Sequence, residues 1–295
     1  MGRGPSRESK DLMDLIYEVF QREHPMGPRR VAYAIYGNRA GSMAAKVGKL
    51  CGRMLDEGRL PLHWYDDSSR SYVEPFVAED LNHVALIGRQ APPLDPWADQ
   101  PVVVKCWSEK SVGDTLAPVL ERYSVPFLNT RGWNARKILM EEARRAETDP
   151  RRLVIVYCGD HDASGLRMSE VDLPNRLGKY GAVDYELRRV AIVAEDFAAM
   201  KAKGLVDKIK PGDPNRKWYV EHTGETVGVE LEALPAPDLR QRVEDAIRDA
   251  VADPAAWKRS IEASKAICDS WQEWVDLWPG PSIRHRDHGY DEVTP

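Results

Sequence analysis

Residues 153–165, LVIVYCGDHDASG, combine an uninterrupted apolar run with a polar turn that carries two aspartates. A short apolar run bounded by turn residues is typical of a strand buried on both faces. Residues two apart in an extended chain point the same way, so Asp160 and Asp162 can present both carboxylates to one small volume. Two ionised carboxylates repel each other unless a cation lies between them. The stretch therefore predicts a site for an oxygen-loving ion, Mg²⁺ or Mn²⁺, at the end of a buried strand.

A third acid follows an earlier apolar run in the same way. Residues 102–107, VVVKCW, predict a strand, and Glu109 and Lys110 come just after it. Helical sequence separates the two strands, and such alternation predicts an α/β fold with a mostly parallel sheet and helices on both faces. Ligands bind such sheets at the carboxyl ends of the strands. We therefore expect Glu109 to join the two aspartates as a metal ligand.

The order of these motifs resembles the Toprim domain of topoisomerases, primases and some nucleases. Among Toprim proteins, the interval from Glu109 to residues 159–165 resembles the A subunit of type VI topoisomerase and the meiotic double-strand-break transesterase. It resembles small bacterial and phage relatives of that subunit more closely still. Those relatives carry a Gly-Asp-x-Asp-Pro-x-Gly turn, where this chain has Ala163 in place of proline. The resemblance implies a Toprim (Rossmann-like) domain in which Glu109, Asp160 and Asp162 hold Mg²⁺ and act on DNA.

The N-terminal part of the chain predicts a small DNA-binding domain. Apolar residues at three-and-four spacing predict a helix over residues 11–24, a short second helix over 29–36 and a third between Ser42 and Gly58. Residues 59–69 predict the start of a hairpin. Three short helices followed by a hairpin are typical of a winged helix-turn-helix.

This domain also contains the most basic stretch of the chain. The whole chain has a net charge of −5, but residues 29–59 hold seven bases and two acids, a local sum of +5. Basic residues spaced along one helix stripe are suited to a phosphate backbone, although a solvated helix face is the alternative. The predicted nucleic-acid contacts are Arg29, Arg30, Lys46, Lys49, Arg53, Lys110, Arg131 and Arg136.

Domain order extends the resemblance, because a winged helix also precedes Toprim in the type VI topoisomerase A family. There the second helix carries an Arg-x-hydrophobic-Tyr-Tyr motif whose last tyrosine attacks DNA. The matching residues 29–33 are RRVAY, so Tyr33 occupies the place of the nucleophile and Ala32 replaces the other tyrosine. A packing role for Tyr33 is the alternative.

Three functions compete. The first is a nuclease in which metal-activated water attacks DNA. The second is a tyrosine transesterase that stays on a DNA 5′ end, as a homodimer pairing one subunit's Tyr33 with the other subunit's metal site. The third is a DNA-binding regulator without catalysis. The intact acidic triad argues against the regulator. The chain contains no phosphate-binding Gly-x-x-x-x-Gly-Lys-Ser/Thr loop, so a complete topoisomerase would need a separate ATPase subunit. The nuclease is therefore favoured.

Two polar residues near the acids are expected to have structural roles. His161 lies between the aspartates but points to the opposite face of an extended chain, which favours packing or a hydrogen bond. Glu230 lies in a Glu-Leu-x-Ala-Leu segment that the small relatives share, and a pair with Arg or Lys is favoured over metal ligation.

The C-terminal part continues the strand and helix pattern. Residues 190–193 predict a strand, and residues 218–222 and 227–231 predict a hairpin. Residues 238–252 and 255–278 predict two amphipathic helices whose tryptophans pack on the sheet or on a second subunit.

The length and composition of the chain are those of a globular protein large enough for two domains. The 295 residues exceed the commonest single-domain size, and 42% hydrophobic content is ordinary for a globular protein. No apolar run approaches a membrane span and the first ten residues lack the core of a signal peptide, which predicts a cytoplasmic protein. The four cysteines are scattered and are expected to be reduced. The predicted division is residues 1–10 flexible, 11–87 winged helix-turn-helix, 88–101 linker, 102–235 Toprim, 236–278 C-terminal helices and 279–295 flexible.

Overall fold

The computed structural model describes residues 7–66, 94–130 and 136–277. Within these ranges, none of the helices has the length and apolar character that crossing a membrane requires. All four cysteines are free thiols, as predicted, and Cys51, Cys106 and Cys158 are buried.

The N-terminal part is a bundle of three helices, α1 (Arg7–Glu23), α2 (Pro28–Tyr36) and α3 (Ala40–Asp56). Proline suits the first position of α2 because the N–H it lacks has no partner within the helix there. Gly37 ends α2 with a φ of 54°, which glycine adopts without strain. The three predicted helices are confirmed, and their apolar faces share one core that includes Met13, Phe20, Val31, Val47 and Met54.

The predicted first strand of the wing is wrong. Residues Leu62–Trp64 form a short 3-10 helix, in which Trp64 N donates to Pro61 O at 3.0 Å. Trp64 stacks on His24 of the bundle with ring centroids 4.6 Å apart, and this packing favours the tight turn over an extended chain. The rest of the predicted hairpin, from residue 67 onward, lies outside the described residues.

The central sheet has four parallel strands, β1 (Val102–Ser108), β2 (Phe127–Asn129), β3 (Arg152–Cys158) and β4 (Tyr185–Ala191). Their order across the sheet is β2-β1-β3-β4. β1 and β3 are neighbours in matched register, with Ser108 opposite Cys158. The residues that follow these two strands therefore leave the same edge of the sheet.

Helices cover both faces of this sheet. After the bundle they are α4 (Gly113–Arg122), α5 (Arg136–Thr148), α6 (Ala163–Arg167), α7 (Leu173–Lys179), α8 (Ala194–Ala202), α9 (Arg216–Thr223), α10 (Ala236–Ala250) and α11 (Pro254–Leu277). On one face α4 and α10 pack on Val104 and Val156. On the other, α5 and α7 pack on Ile155 and Tyr157. Alternate residues of each strand thus enter opposite cores, which confirms the predicted α/β fold and is compatible with a Rossmann-like domain.

Two sequence expectations for the C-terminal part need correction. The strand expected at residues 190–193 is β4, which starts earlier, at Tyr185. The prediction missed this start because charged residues alternate with apolar ones in the first part of the strand and leave no apolar run. The expected hairpin does not form. Its first half is α9, which ends at Gly224 with a φ of 74°. Its second half contains β6 (Val227–Gly228), which pairs antiparallel with β5 (Asp207–Lys208).

The segment just before β1 packs on the sheet domain. Trp97, which falls in the predicted linker, is 2% exposed and lies 4.7 Å from the ring of Trp257 in α11. Its indole N–H donates to Tyr123 O at 2.8 Å. One of the C-terminal tryptophans therefore packs in the core of the sheet domain, one of the two roles expected for them.

Buried contacts join the N-terminal bundle to the sheet domain. Asp66 accepts hydrogen bonds from the backbone N–H of Thr115 at 3.1 Å and from its hydroxyl at 2.8 Å. Ala236, the first residue of α10, is part of the bundle core, and Tyr33 packs against both cores. The bundle is therefore held against the carboxyl edge of the sheet.

Candidate active site

Glu109, Asp160 and Asp162 lie at one edge of the sheet, just beyond β1 and β3. Gly165 of α6 permits this close approach. A Cβ atom on Gly165 would lie 2.8 Å from Glu109 Oε1 and 2.4 Å from the backbone oxygen of Asp160. Only glycine fits here, so α6 can pack directly against Glu109 and the backbone of Asp160.

Asp160 is 6% exposed, and both of its carboxylate oxygens have a partner. Oδ1 accepts the backbone N–H of Leu231 at 2.8 Å. Oδ2 lies 2.7 Å from the ammonium nitrogen of Lys110. Burial raises the pKa of Asp160, while the Lys110 ammonium opposes that shift. Asp160 thus ties the turn after β3 to Lys110 and to the loop that follows β6.

Asp162 begins α6 as its N-cap. Its Oδ1 accepts the backbone N–H groups of Ser164 at 3.0 Å and Gly165 at 2.7 Å, which satisfies two donors at the helix start. Asp162 also lines a cavity of about 460 Å³ together with Arg29 and Glu230. The side chain is therefore both fixed by the helix and accessible from a cavity.

Glu109 differs from both aspartates because its Oε1 is buried and has no hydrogen-bond partner. Burial raises the pKa of Glu109, and the nearby Asp162 carboxylate raises it further. Glu109 lines a second cavity of about 370 Å³, between the bundle and the sheet, with Lys110 and Arg29. The carboxylate accepts a backbone hydrogen bond from Asp160, but a carboxylate with one buried, unpaired oxygen beside another carboxylate is an environment that a cation would stabilise.

The residues fit a hard cation in their chemistry, since carboxylate oxygens are the ligands that Mg²⁺ and Mn²⁺ prefer. Across the described ranges, however, no group of three or more acid, histidine or cysteine side chains is arranged to hold a metal ion. At this edge the Lys110 ammonium pairs with one oxygen of Asp160. The unpaired Oε1 of Glu109 is the atom of this site that is best suited to bind a cation.

Arg189 of β4 supports the turn that carries the acids, and no sequence motif marks it. Its guanidinium donates to the backbone oxygen of Gly159 at 2.8 Å, to that of Ile192 at 2.9 Å and to the hydroxyl of Ser169 at 2.6 Å. It also donates to the backbone oxygen of Asp160. The planar guanidinium of Arg189 therefore fixes the turn after β3 through several hydrogen bonds.

A second pair of acids follows β6. Glu230 forms an ion pair with Arg29 of α2, as the sequence favoured, and Glu232 Oε2 lies 3.6 Å from Lys110 Nζ. Glu230 Oε2 and Glu232 Oε2 are buried without a hydrogen-bond partner. The edge of the sheet is therefore richer in carboxylates than in cations.

Tyr33 lies next to this edge in the same chain. Its hydroxyl donates to Asp207 Oδ2 at 3.2 Å. Burial raises the pKa of Tyr33 well above its usual value, and the Glu230 and Asp207 carboxylates raise it further. A tyrosine in this environment keeps its proton.

The predicted nucleic-acid contacts divide into two groups. Arg29, Arg30 and Lys110 line the cavity beside Glu109, where Arg30 is 3% exposed and donates to Leu231 O at 3.3 Å. The others described lie on α3, where Lys46 pairs with Glu8 at 2.6 Å, Arg53 pairs with Glu57 at 2.6 Å and Lys49 is exposed. Arg131 and the side chain of Arg136 lie outside the described residues.

His161 has the packing role expected from the sequence. Its ring stacks on Phe197 with centroids 4.4 Å apart, and Nδ1 lies 3.3 Å from the hydroxyl of Tyr219. Burial lowers the pKa of His161, and the nearby Arg189 guanidinium lowers it further.

Comparison with protein-family models, with curated proteins and with solved structures finds no match to this chain.

Proposed function

We propose that this protein cleaves DNA phosphodiester bonds in a divalent-metal-dependent reaction at the carboxyl edge of its parallel sheet. The observation that carries the proposal is the buried, unpartnered Oε1 of Glu109 beside Asp160 and Asp162. Leaving a buried carboxylate oxygen unpaired costs folding free energy, and a bound cation would remove that cost. The motif order of the Toprim family supports the same chemistry.

The site residues have separable roles in this proposal. Glu109 and Asp162 would hold Mg²⁺ or Mn²⁺, with Asp160 next to them. The bound ion supplies Lewis-acid polarisation of the phosphate and stabilises the leaving oxygen. Lys110 and Arg29 line the cavity beside Glu109 and would bind non-bridging phosphate oxygens through charge-assisted hydrogen bonds.

Water is the favoured nucleophile. Tyr33 donates its hydroxyl proton to a hydrogen bond with Asp207, and its raised pKa disfavours the phenolate that would attack phosphorus. Ala32 also replaces one tyrosine of the family motif. These features favour hydrolysis over a covalent tyrosyl intermediate.

A tyrosine transesterase is the second candidate, and one contact favours it. Asp207 is positioned to accept the proton of Tyr33, with 3.2 Å between the two oxygens. In this version the protein would act as a homodimer, with a separate ATPase subunit for strand passage. DNA would be bound by the N-terminal domain, which in full would be a winged helix-turn-helix. Both versions would act in the cytoplasm.

A non-catalytic DNA-binding regulator is the third candidate. The ammonium of Lys110 already neutralises Asp160, which is compatible with a site that needs no metal. The unpartnered oxygen of Glu109 is the feature that this candidate leaves without a purpose.

The test is incubation of labelled plasmid with the full chain and Mg²⁺ or Mn²⁺, followed by denaturing electrophoresis with and without protease. We expect broken strands that need metal, do not depend on protease treatment, persist in Tyr33→Phe and disappear in Glu109→Gln. Tyr33→Phe keeps the ring and its packing, so it isolates the hydroxyl.

Two other results would replace the proposal. A protease-sensitive DNA adduct that disappears in Tyr33→Phe would make the protein a transesterase. Plasmid that is bound but never cut, with either metal, would make it a regulator.

A further inference from the structure

We propose that Lys110 is a permanent cation of this site, so that the site takes one divalent ion per chain, held by Glu109 and Asp162, rather than two. The inference rests on the proposed metal-dependent function and specifies which charged groups of the site bind the ion and which bind the substrate. Lys110 would neutralise Asp160 and bind a phosphate oxygen of the substrate, while the other two acids would bind the ion.

The position of Lys110 is fixed by the end of β1. Its backbone N–H donates to the hydroxyl of the buried Ser108 at 3.0 Å, which sets the chain direction just beyond the strand. Its side chain is 22% exposed, and Nζ lies 2.7 Å from Asp160 Oδ2 and 3.6 Å from Glu232 Oε2. The 3.6 Å contact with Glu232 is longer than a hydrogen bond, so the ammonium retains N–H donors for a ligand in the cavity that Lys110 lines.

Asp160 is committed to this arrangement at both oxygens. Oδ1 accepts the N–H of Leu231 at 2.8 Å, and Oδ2 is paired with Lys110. A divalent ion could bind Asp160 only by displacing a buried partner.

Glu109 and Asp162 are not committed in this way. Neither forms a salt bridge with any residue that the structure describes. Asp162 Oδ1 accepts the backbone N–H groups of Ser164 and Gly165, and Glu109 accepts that of Asp160, but Glu109 Oε1 has no hydrogen-bond partner. Each lines a cavity, Glu109 on the side of α4 and Asp162 on the side of β5 and β6. An ion bound by Glu109 Oε1 and by the second oxygen of Asp162 would reduce the repulsion between the two carboxylates and leave the helix cap of Asp162 in place.

The test is calorimetric titration of the intact protein with Mn²⁺ in the absence of DNA. We expect one ion per chain for wild type, loss of binding in Asp162→Asn, and a smaller loss of about tenfold in Asp160→Asn, because the Lys110 ammonium then lacks its partner. Lys110→Met removes the competing charge and releases Asp160, so its affinity should rise at least about tenfold.

Two further variants keep the test decisive. Lys105→Met removes another buried lysine from β1, one that is paired with Glu142, and should leave the stoichiometry at one. The double variant Lys110→Met with Asp160→Asn keeps the site neutral if the single variant fails to fold, and should bind one ion with wild-type affinity.

Two ions per chain in wild type, or equal loss of binding in Asp160→Asn and Asp162→Asn, would overturn the inference while leaving metal binding intact. No Mn²⁺ binding by wild type would refute the proposed metal-dependent function, and this inference with it.

Discussion

Each end of the parallel sheet has a glutamate beside a cavity, but the two glutamates differ in whether their oxygens are paired. At the amino-terminal end, each oxygen of Glu142 has a cation, Lys105 on one side and Arg145 at 2.7 Å on the other. That cavity has a volume of about 590 Å³. At the carboxyl end, the cavity beside Glu109 is smaller, about 370 Å³, and Glu109 Oε1 has no partner. Unpaired charge, rather than cavity size, identifies the candidate site.

The contrast has an energetic basis. A buried acid that is fully paired contributes to one stable arrangement, and breaking it leaves an uncompensated charge. A buried acid without a partner lowers stability until a ligand supplies the missing charge. The first arrangement is suited to a structural role and the second to binding.

The largest effect on function is expected for Glu109→Gln. It removes the unpaired charge and should reduce metal-dependent DNA cleavage at least about 100-fold. The free energy of unfolding without metal should stay equal or increase, because a buried charge is lost. Cleavage assays and urea unfolding of the same preparations measure both quantities. Full cleavage by this variant would mean that the unpaired oxygen of Glu109 does not mark the functional end of the sheet.

The largest effect on stability is expected for Glu142→Gln at the opposite end. Lys105, which is partly buried, would be left without its carboxylate, at a cost of about 2 kcal/mol or more in the free energy of unfolding. Cleavage per folded molecule should be unchanged, because this pair lies away from the carboxyl edge. A stable variant with reduced cleavage would reverse the assignment of the two ends.

Arg189→Lys tests how the acidic turn is positioned. Lysine keeps the charge but loses the planar guanidinium that donates to the four groups named above, so cleavage should fall at least about tenfold. Arg188→Lys is the matched control, because Arg188 is the neighbouring residue of β4 and pairs instead with Glu186 at 2.9 Å. The two variants should also differ in how far Mg²⁺ raises the melting temperature. Equal behaviour in both assays would remove the positioning role.

A smaller effect is expected in the pH dependence of stability. Because burial and Asp162 raise the pKa of Glu109, the folded protein binds a proton there more tightly than the unfolded chain does. Without metal, this group destabilises the fold as pH rises through the raised pKa, and the penalty is absent below the ordinary glutamate range.

Glu109→Gln removes that dependence. The wild type should therefore be less stable relative to the variant at about pH 8 than at about pH 5 in EDTA, as measured by urea unfolding. An identical difference at both pH values would mean that Glu109 titrates normally in the fold.

The sequence predicted those parts of the molecule that local patterns determine. The apolar runs before Glu109 and Asp160 predicted β1 and β3, and parallel pairing then brought the acids to one edge. The predicted start of β4 was too late because charged residues alternate with Tyr185 and Leu187 and leave no apolar run. The expected hairpin was wrong because residues 218–222 lie in α9, where Tyr219 is buried in tertiary packing that no local pattern reports.

The contacts that define the site could not be predicted in the same way. Arg29 and Glu230 are 201 positions apart, and Lys110 and Asp160 meet only because β1 and β3 are neighbours. Arg189 donates to backbone oxygens, which have no side-chain signature in sequence. Such contacts depend on the assembled fold.

The most direct test of the account is the effect of Mg²⁺ on the melting temperature of wild type, Glu109→Gln and Glu142→Gln. An ion that binds only the folded state at a hundredfold excess over its Kd adds about 2.7 kcal/mol, which corresponds to an increase of several degrees. We predict this increase for wild type and Glu142→Gln and its absence in Glu109→Gln. An equal increase in all three proteins, or none in wild type, would contradict a metal site at the carboxyl edge of the sheet.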